Sequence, residues 1–263
     1  MKSLFLKTLY DKRWFMIGWS FGMALLGFLM IIFYPAFTQD GGIDELVKNL
    51  PPALQGLVGD LANLKHMDSY IGSQLFEIRI PIFVSILSII LATSLTINEE
   101  EKGQLRTLLA LPLSRTKVIF EKWLAMVTIT FVVISATAIG LNIGLLIIHE
   151  TVDPMVIIRL LAMTWLLCVS LATFVFGIGL ATGKRALTML LGVIMAIGSF
   201  LLTTFASSVE WLQPYEKISL LHYFPAVDIA KTGIEWGSAS VLGVITLLAL
   251  LLAVFCFRRR DVK

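Results

Sequence analysis

The stretch INEEEKGQLRTLLALPLSRTKVIFEK, residues Ile97 to Lys122, is a long, charge-dense and strongly patterned segment between two hydrophobic regions. Asn98, with Glu101 three residues later, has the spacing of a capping box at a helix N-terminus. The three consecutive glutamates at 99–101 also suit the positive end of a helix dipole. The pattern therefore predicts that a helix starts or restarts at Asn98.

An amphipathic helix is predicted in the middle of this stretch. Leu105, Leu108 and Leu109 fall on one helical face, and Pro112 removes the amide that the next turn needs. Ser114 is then placed to cap a new helix. The shape indicates a docking element, although such a helix is also able to lie on a lipid surface with its leucines among the headgroups.

Composition indicates an all-helical integral membrane protein. The chain has 263 residues, of which 57% are hydrophobic and 15% charged, and its mean hydropathy is +0.88. Its apolar runs are continuous and long enough for helices to cross hydrocarbon, unlike the short alternating strands of an outer-membrane barrel. We therefore predict a single domain, 1–263, with six spans at about 14–36, 78–98, 120–148, 157–182, 186–207 and 237–257.

The orientation follows from the distribution of charge between the two sides. Fifteen Lys and Arg residues and six acids fall on the side of both termini and the Ile97–Lys122 stretch, against six basic residues and twelve acids on the other. Retained loops carry the excess of basic residues, so both termini are predicted to be cytoplasmic. The loop at 98–117 is then cytoplasmic, and the segments 35–77 and 208–236 are extracytoplasmic.

Two further features concern packing and the membrane surface. Lys2 to Tyr10 mixes polar and apolar residues ahead of a basic and aromatic boundary, which predicts an interfacial elbow helix. Gly18 with Gly22, and Gly140 with Gly144, form two small-residue pairs that favour close helix packing. Glycine is also frequent in membrane helices, so the pair of Gly18 and Gly22 has this simpler explanation as well.

The predicted spans exclude several sources of energy within the chain. None has an ionisable residue deep inside it, so an ion-coupled carrier would lack its coupling site. Gly183 and Lys184 do not complete a phosphate-binding loop, because Ile178 replaces the first glycine and Arg185 replaces the hydroxyl residue. We expect no catalytic residue, cofactor site or metal site in this chain.

A membrane-embedded protease is a remote alternative. Glu100, Glu101 and Arg106 faintly resemble the first motif of prenyl-protein proteases, but the arginine is one residue too far along. The histidines are predicted on the opposite side of the membrane, where no general base meets those glutamates.

The stretch resembles the loop between the second and third spans of type-two ATP-binding-cassette (ABC-2) permeases. In that family the loop carries a coupling helix that sits in a groove of the ATPase subunit. Gln104 departs from the family pattern, which more often has Thr or Ser after the glycine. The residues that carry the resemblance are Glu99 to Glu101, Gly103, Leu108, Leu109, Pro112, Ser114, Arg115 and Lys122.

The resemblance implies the permease subunit of an exporter in the plasma membrane, itself not an enzyme. It implies two ATPase subunits that carry ATP and Mg, a second permease copy or a paralogue, surrounding lipid and no nucleic acid. It also implies short re-entrant helices within 208–236. Spans without charge favour an amphipathic or lipid-like cargo over a small ion. A passive channel or structural membrane subunit is the alternative.

The expected ATPase-coupling residues are Glu100, Glu101, Gly103, Leu105, Leu108, Leu109, Pro112, Ser114 and Arg115.

Overall fold

A computed structural model describes residues 3–35, 67–101, 114–206 and 209–260, and every regular element among them is helical. In chain order the elements are the α-helices Leu4–Asp11, Arg13–Ile32 and Met67–Tyr70, a π-helix Ile71–Arg79, the α-helices Ile80–Leu95, Ile97–Glu101, Arg115–Ile148, Pro154–Thr182 and Arg185–Ala206, the 3-10 helices Glu210–Ile218 and Leu221–Tyr223, and the α-helices Ala226–Thr232 and Trp236–Arg259.

Six helices in the described part of the chain are long and apolar enough to cross a membrane, which confirms the prediction of an all-helical chain with six spans. From the first to the sixth they are Arg13–Ile32, Met67–Glu101, Arg115–Ile148, Pro154–Thr182, Arg185–Ala206 and Trp236–Arg259.

The helix of the second span begins at Met67, well before the predicted span boundary at 78, so part of the predicted loop 35–77 is helical. Its segment Ile71–Arg79, near the start of this helix, is a π-helix whose first six residues are buried. Gly72 lies against the short helix Ala226–Thr232, where an added Cβ would come within 3.3 Å of the Ala226 carbonyl oxygen. The span was predicted from a window without charged residues, and such a window does not detect burial against a neighbouring helix. The observed helix is therefore longer than the predicted span.

The first and third spans pack closely along two glycines. A Cβ on Gly140 would lie well inside van der Waals contact of the Ala24 carbonyl, and one on Gly144 would lie 2.7 Å from the Ile31 Cβ. Gly18 and Gly22 differ, because nothing lies within 4 Å of a Cβ at either position. The second glycine pair therefore packs within the chain, whereas the first is open to whatever surrounds the bundle.

We predict that Gly140→Ala destabilises the bundle, because its methyl group meets backbone that cannot rotate away. Overpacking of a tight contact typically costs about 1–3 kcal/mol. The measurement is the free energy of unfolding in mixed detergent micelles. Gly18→Ala is the matched control, since it adds the same methyl group in open space. Equal effects of the two substitutions would contradict the packing described here.

The fourth span lies at the centre of the bundle and contacts the second, third, fifth and sixth spans. Side-chain hydrogen bonds join it to three of them. Ser88 Oγ of the second span donates to the Cys168 carbonyl at 3.2 Å, and Trp123 Nε1 of the third donates to Thr173 Oγ1 at 2.9 Å. Ser170 Oγ donates to the Leu242 carbonyl of the sixth span at 3.1 Å. Such bonds contribute about 0.6–2 kcal/mol each between membrane helices.

The segment between the fifth and sixth spans consists of short helical pieces. Ser219 Oγ donates to the Ser199 carbonyl at 2.9 Å, and the Leu220 amide donates to Ser199 Oγ at 3.2 Å, so the segment is tied to the fifth span. Pro214 lies inside its 3-10 helix. These broken elements have the form expected of a re-entrant segment, while its depth in a membrane stays a prediction.

A short helix, Leu4–Asp11, precedes the first span. Ser3 caps it, because Ser3 Oγ accepts a hydrogen bond from the Leu6 amide at 3.2 Å. The Phe5 amide donates to Glu121 Oε2 of the third span at 3.0 Å. The predicted elbow is therefore a helix fixed to the third span. Its place at the lipid interface stays a prediction.

Candidate functional site

The two described ends of the Ile97–Lys122 stretch meet at one end of the bundle, together with the ends of the fourth, fifth and sixth spans. We call this region the charged end. Its residues are Glu99, Glu100, Glu101, Arg115, Lys122, Arg185 and Arg260.

A break in the second span places the three glutamates at the charged end. The helix is interrupted at Thr96, whose backbone angles are φ −113° and ψ −84°, and it resumes at Ile97. Asn98 is inside this last turn, and its Oδ1 is buried without a hydrogen-bond partner among the described residues. The predicted role of Asn98 as N-cap is therefore wrong, because the helix restarts one residue before it.

Each of the three glutamates pairs with a different helix. Glu99 Oε2 lies 2.5 Å from Lys122 Nζ of the third span. Glu100 Oε1 lies 2.5 Å from Arg260 Nη2, directly after the sixth span. Glu101 Oε2 lies 3.7 Å from Arg185 Nη1 at the start of the fifth span. The acidic cluster therefore connects the last turn of the second span to three other spans.

The three pairs differ strongly in burial. Lys122 is 2% exposed, and its Nζ also donates to the Leu95 carbonyl at 3.0 Å. Glu101 and Arg185 are 51% and 53% exposed. An exposed ion pair contributes about 0–1 kcal/mol, whereas removal of one partner from a buried pair leaves an uncompensated charge. The Glu99–Lys122 pair is therefore the pair on which the local structure depends most.

Arg260 contacts residues of the second, third and fourth spans. Besides its ion pair with Glu100, its Nη1 donates to the Leu180 carbonyl of the fourth span at 3.0 Å. Its own carbonyl oxygen accepts a hydrogen bond from Arg115 Nη1 at 2.8 Å. Gly183 leaves room for the guanidinium, since a Cβ at 183 would overlap it, and the left-handed backbone there (φ 61°) also favours glycine.

The predicted coupling residues are only partly within the described residues. Ser114 caps the third span as expected, because its Oγ accepts from the Lys117 amide at 3.3 Å. Glu100, Glu101 and Arg115 are paired within the chain as described above. The other predicted coupling positions, Gly103, Leu105, Leu108, Leu109 and Pro112, lie outside the described residues.

Sequence reasoning missed the roles of Arg185 and Arg260 and the burial of Lys122. All three belong to the excess of basic residues on one side, which indicates orientation but carries no information about pairing. The available signal was three acids in a row, together with basic residues at several loop ends. It indicates that ion pairs form but not which residues form them.

An apolar groove of about 360 Å³ lies between the second and fifth spans, away from the charged end. Its walls are almost entirely hydrocarbon, with Ser85 as a small polar exception. An apolar surface of this kind accepts an alkyl or aromatic group but offers nothing to a small ion. Residues that line it include Ile86, Ile89, Val193, Ile197 and Phe200.

Comparison with known proteins identifies the chain's relatives at the level of a family. A family model described as ABC-2 family transporter protein matches residues 16–262. The match begins three residues into the first span and covers the other five spans and the charged end. A search of the curated proteins finds no match.

Proposed function

Because this chain belongs to the ABC-2 family of transporter proteins and is a membrane permease component of an ABC transporter, we propose that it exports its substrate by coupling to separate ATPase subunits through the Glu99–Lys122 loop. The observation that supports this proposal is that residues at both described ends of the loop form ion pairs and hydrogen bonds with other spans or with Arg260, directly after the sixth span. Glu100 and Arg115 each contact Arg260, and Glu99 pairs with Lys122. A force applied to the loop therefore acts directly on the second, third and sixth spans.

The proposed coupling requires the charged end to face the cytoplasm, where ATP is present. The unequal distribution of basic residues supports that orientation, and the proposed location is the plasma membrane. In this arrangement the partner ATPase supplies ATP and Mg, and this chain supplies the pathway. The described histidines, His149 and His222, lie at the far end of the bundle from Glu100. That separation favours transport over the protease alternative.

We predict that a single cysteine at Thr151 reacts with a membrane-impermeant thiol reagent from outside the cell. A cysteine at Lys184 should react only after permeabilisation. Both side chains are exposed, so access is decided by the side of the membrane rather than by burial. A background without Cys168 and Cys256 removes the native thiols. External labelling at Lys184 would place the loop away from ATP and would contradict the proposal.

A second permease copy or a paralogue completes the proposed pathway, with two ATPase subunits. Gly18 and Gly22 support this assembly, because they are exposed on the first span and have open space beside them. Small residues of this kind let a neighbouring helix approach closely in a membrane. The apolar groove between the second and fifth spans supports an amphipathic or lipid-like cargo.

The alternative is a passive channel or structural subunit whose loop lies on the lipid surface. It uses the same six spans but needs no ATPase. The two functions differ in what the leucine face at 105–109 contacts. In the coupling proposal it contacts the ATPase, and in the alternative it contacts lipid.

A further inference from the structure

The segment between Glu101 and Ser114 begins and ends next to two residues that contact a single third residue. Glu100 precedes the segment and pairs with the Arg260 guanidinium, with Nη2 to Oε1 at 2.5 Å. Arg115 follows the segment and donates from Nη1 to the Arg260 carbonyl at 2.8 Å. One residue therefore connects the two ends through different atoms, its side chain at one end and its main chain at the other.

Arg260 is itself held in place on the bundle. Its Nη1 donates to the Leu180 carbonyl at 3.0 Å. Both terminal nitrogens of the guanidinium therefore have a partner, since Nη2 pairs with Glu100. The Arg115 guanidinium also lies over the Phe257 ring, with 6.0 Å between the guanidinium carbon and the ring centroid. A guanidinium presents two separate donors in a fixed fork, so it is able to bind Glu100 and Leu180 together. A lysine ammonium also donates to two oxygens, as Lys122 does, but it lacks the rigid planar fork that fixes the directions of the two bonds.

We propose that Arg260 is a positioning residue that fixes the two ends of the loop relative to each other and to the fourth span. A segment with fixed ends samples fewer conformations, so less conformational entropy is lost when it binds a partner. The consequence for the ATPase rests on the proposed function, whereas the fixing of the two ends does not.

The test uses two variants that disturb Arg260 in different ways. Arg260→Lys keeps the charge but loses the fork. Gly183→Asn leaves Arg260 intact and tolerates left-handed backbone, but its side chain occupies the space of the guanidinium. Arg258→Lys is the matched control, because Arg258 is an exposed neighbour that makes none of these contacts.

Spin labels at Glu101→Cys and Lys117→Cys, in a chain without native cysteines, report the separation of the loop ends in the full-length protein. Both positions have exposed side chains. We expect a narrow distance distribution in the otherwise unchanged protein and in Arg258→Lys, and a broadened one in the other two variants. Unchanged distributions in Arg260→Lys and Gly183→Asn would overturn the proposal, whatever the ATPase does.

The ATPase concentration that gives half-maximal stimulation should rise about tenfold in both variants, the factor that corresponds to one lost charge-assisted hydrogen bond. If distributions broaden but this concentration is unchanged, while Leu108→Glu abolishes stimulation, Arg260 does not position the loop for docking and the proposal fails. If Leu108→Glu also leaves stimulation unchanged, the proposed ATPase coupling fails instead, and the fixing of the two ends by Arg260 stands.

Discussion

Leu108→Glu should abolish both stimulation of the partner ATPase and ATP-driven transport, while the chain still inserts into the membrane. Leu108 shares a predicted helical face with Leu105 and Leu109, and these three lie outside the described residues. In a protein groove, burial of a charged group without a partner is strongly unfavourable, and loss of a well-packed anchor typically costs about 2 kcal/mol or more of binding. The measurement is ATP hydrolysis by the reconstituted complex.

Thr107→Glu is the matched control, because it adds the same charge to the opposite face of the same predicted helix. It should leave ATP hydrolysis near its normal rate. If Leu108→Glu still binds and stimulates the ATPase, the leucine face lies in lipid. The passive or structural reading, with its surface helix, would then replace the coupling proposal.

Glu99→Gln should destabilise the chain more than any other single loss of charge at the charged end. Lys122 is almost fully buried, and Glu99 is its only ion-pair partner among the described residues. Removal of one member of a buried ion pair typically costs about 3–5 kcal/mol, because the other charge stays buried without compensation. The free energy of unfolding in mixed micelles measures the effect.

Two further variants separate this explanation from a general sensitivity of the region. The double variant Glu99→Gln with Lys122→Met should recover most of the lost stability, since a buried apolar side chain needs no partner. Glu101→Gln should change stability by less than about 1 kcal/mol, because the pair with Arg185 is exposed and long. A double variant as unstable as Glu99→Gln alone would show that the ion pair is not the cause.

Much of the fold could be predicted because membrane insertion depends on local composition. Twenty apolar residues without charge are a sufficient signal for a span, and Ser114 ahead of a basic, apolar run is a sufficient signal for a helix start. The length of the second span was harder to predict, because its π-helix contains Glu77 and Arg79 and packs against a helix distant in sequence. Arg79 Nη1 donates to the Gln74 carbonyl and stays within the helix.

The candidate site was only partly predictable for a related reason. Its location at Ile97–Lys122 follows from local pattern, but its pairs join positions as far apart as Glu100 and Arg260. Local patterns carry no information about which basic residue meets which acid. The error at Asn98 has the same origin, because capping-box spacing is present but the break at Thr96 decides where the helix restarts.

The protein composition of the complex purified from native membranes, after mild cross-linking, tests the central claim most directly. The proposed coupling predicts that this chain purifies with an ATPase subunit that carries a nucleotide-binding loop, in equal numbers, and that Leu108→Glu removes this subunit while Thr107→Glu retains it. Purification of the chain without any such subunit, under conditions that preserve its association with a second permease copy, would contradict it.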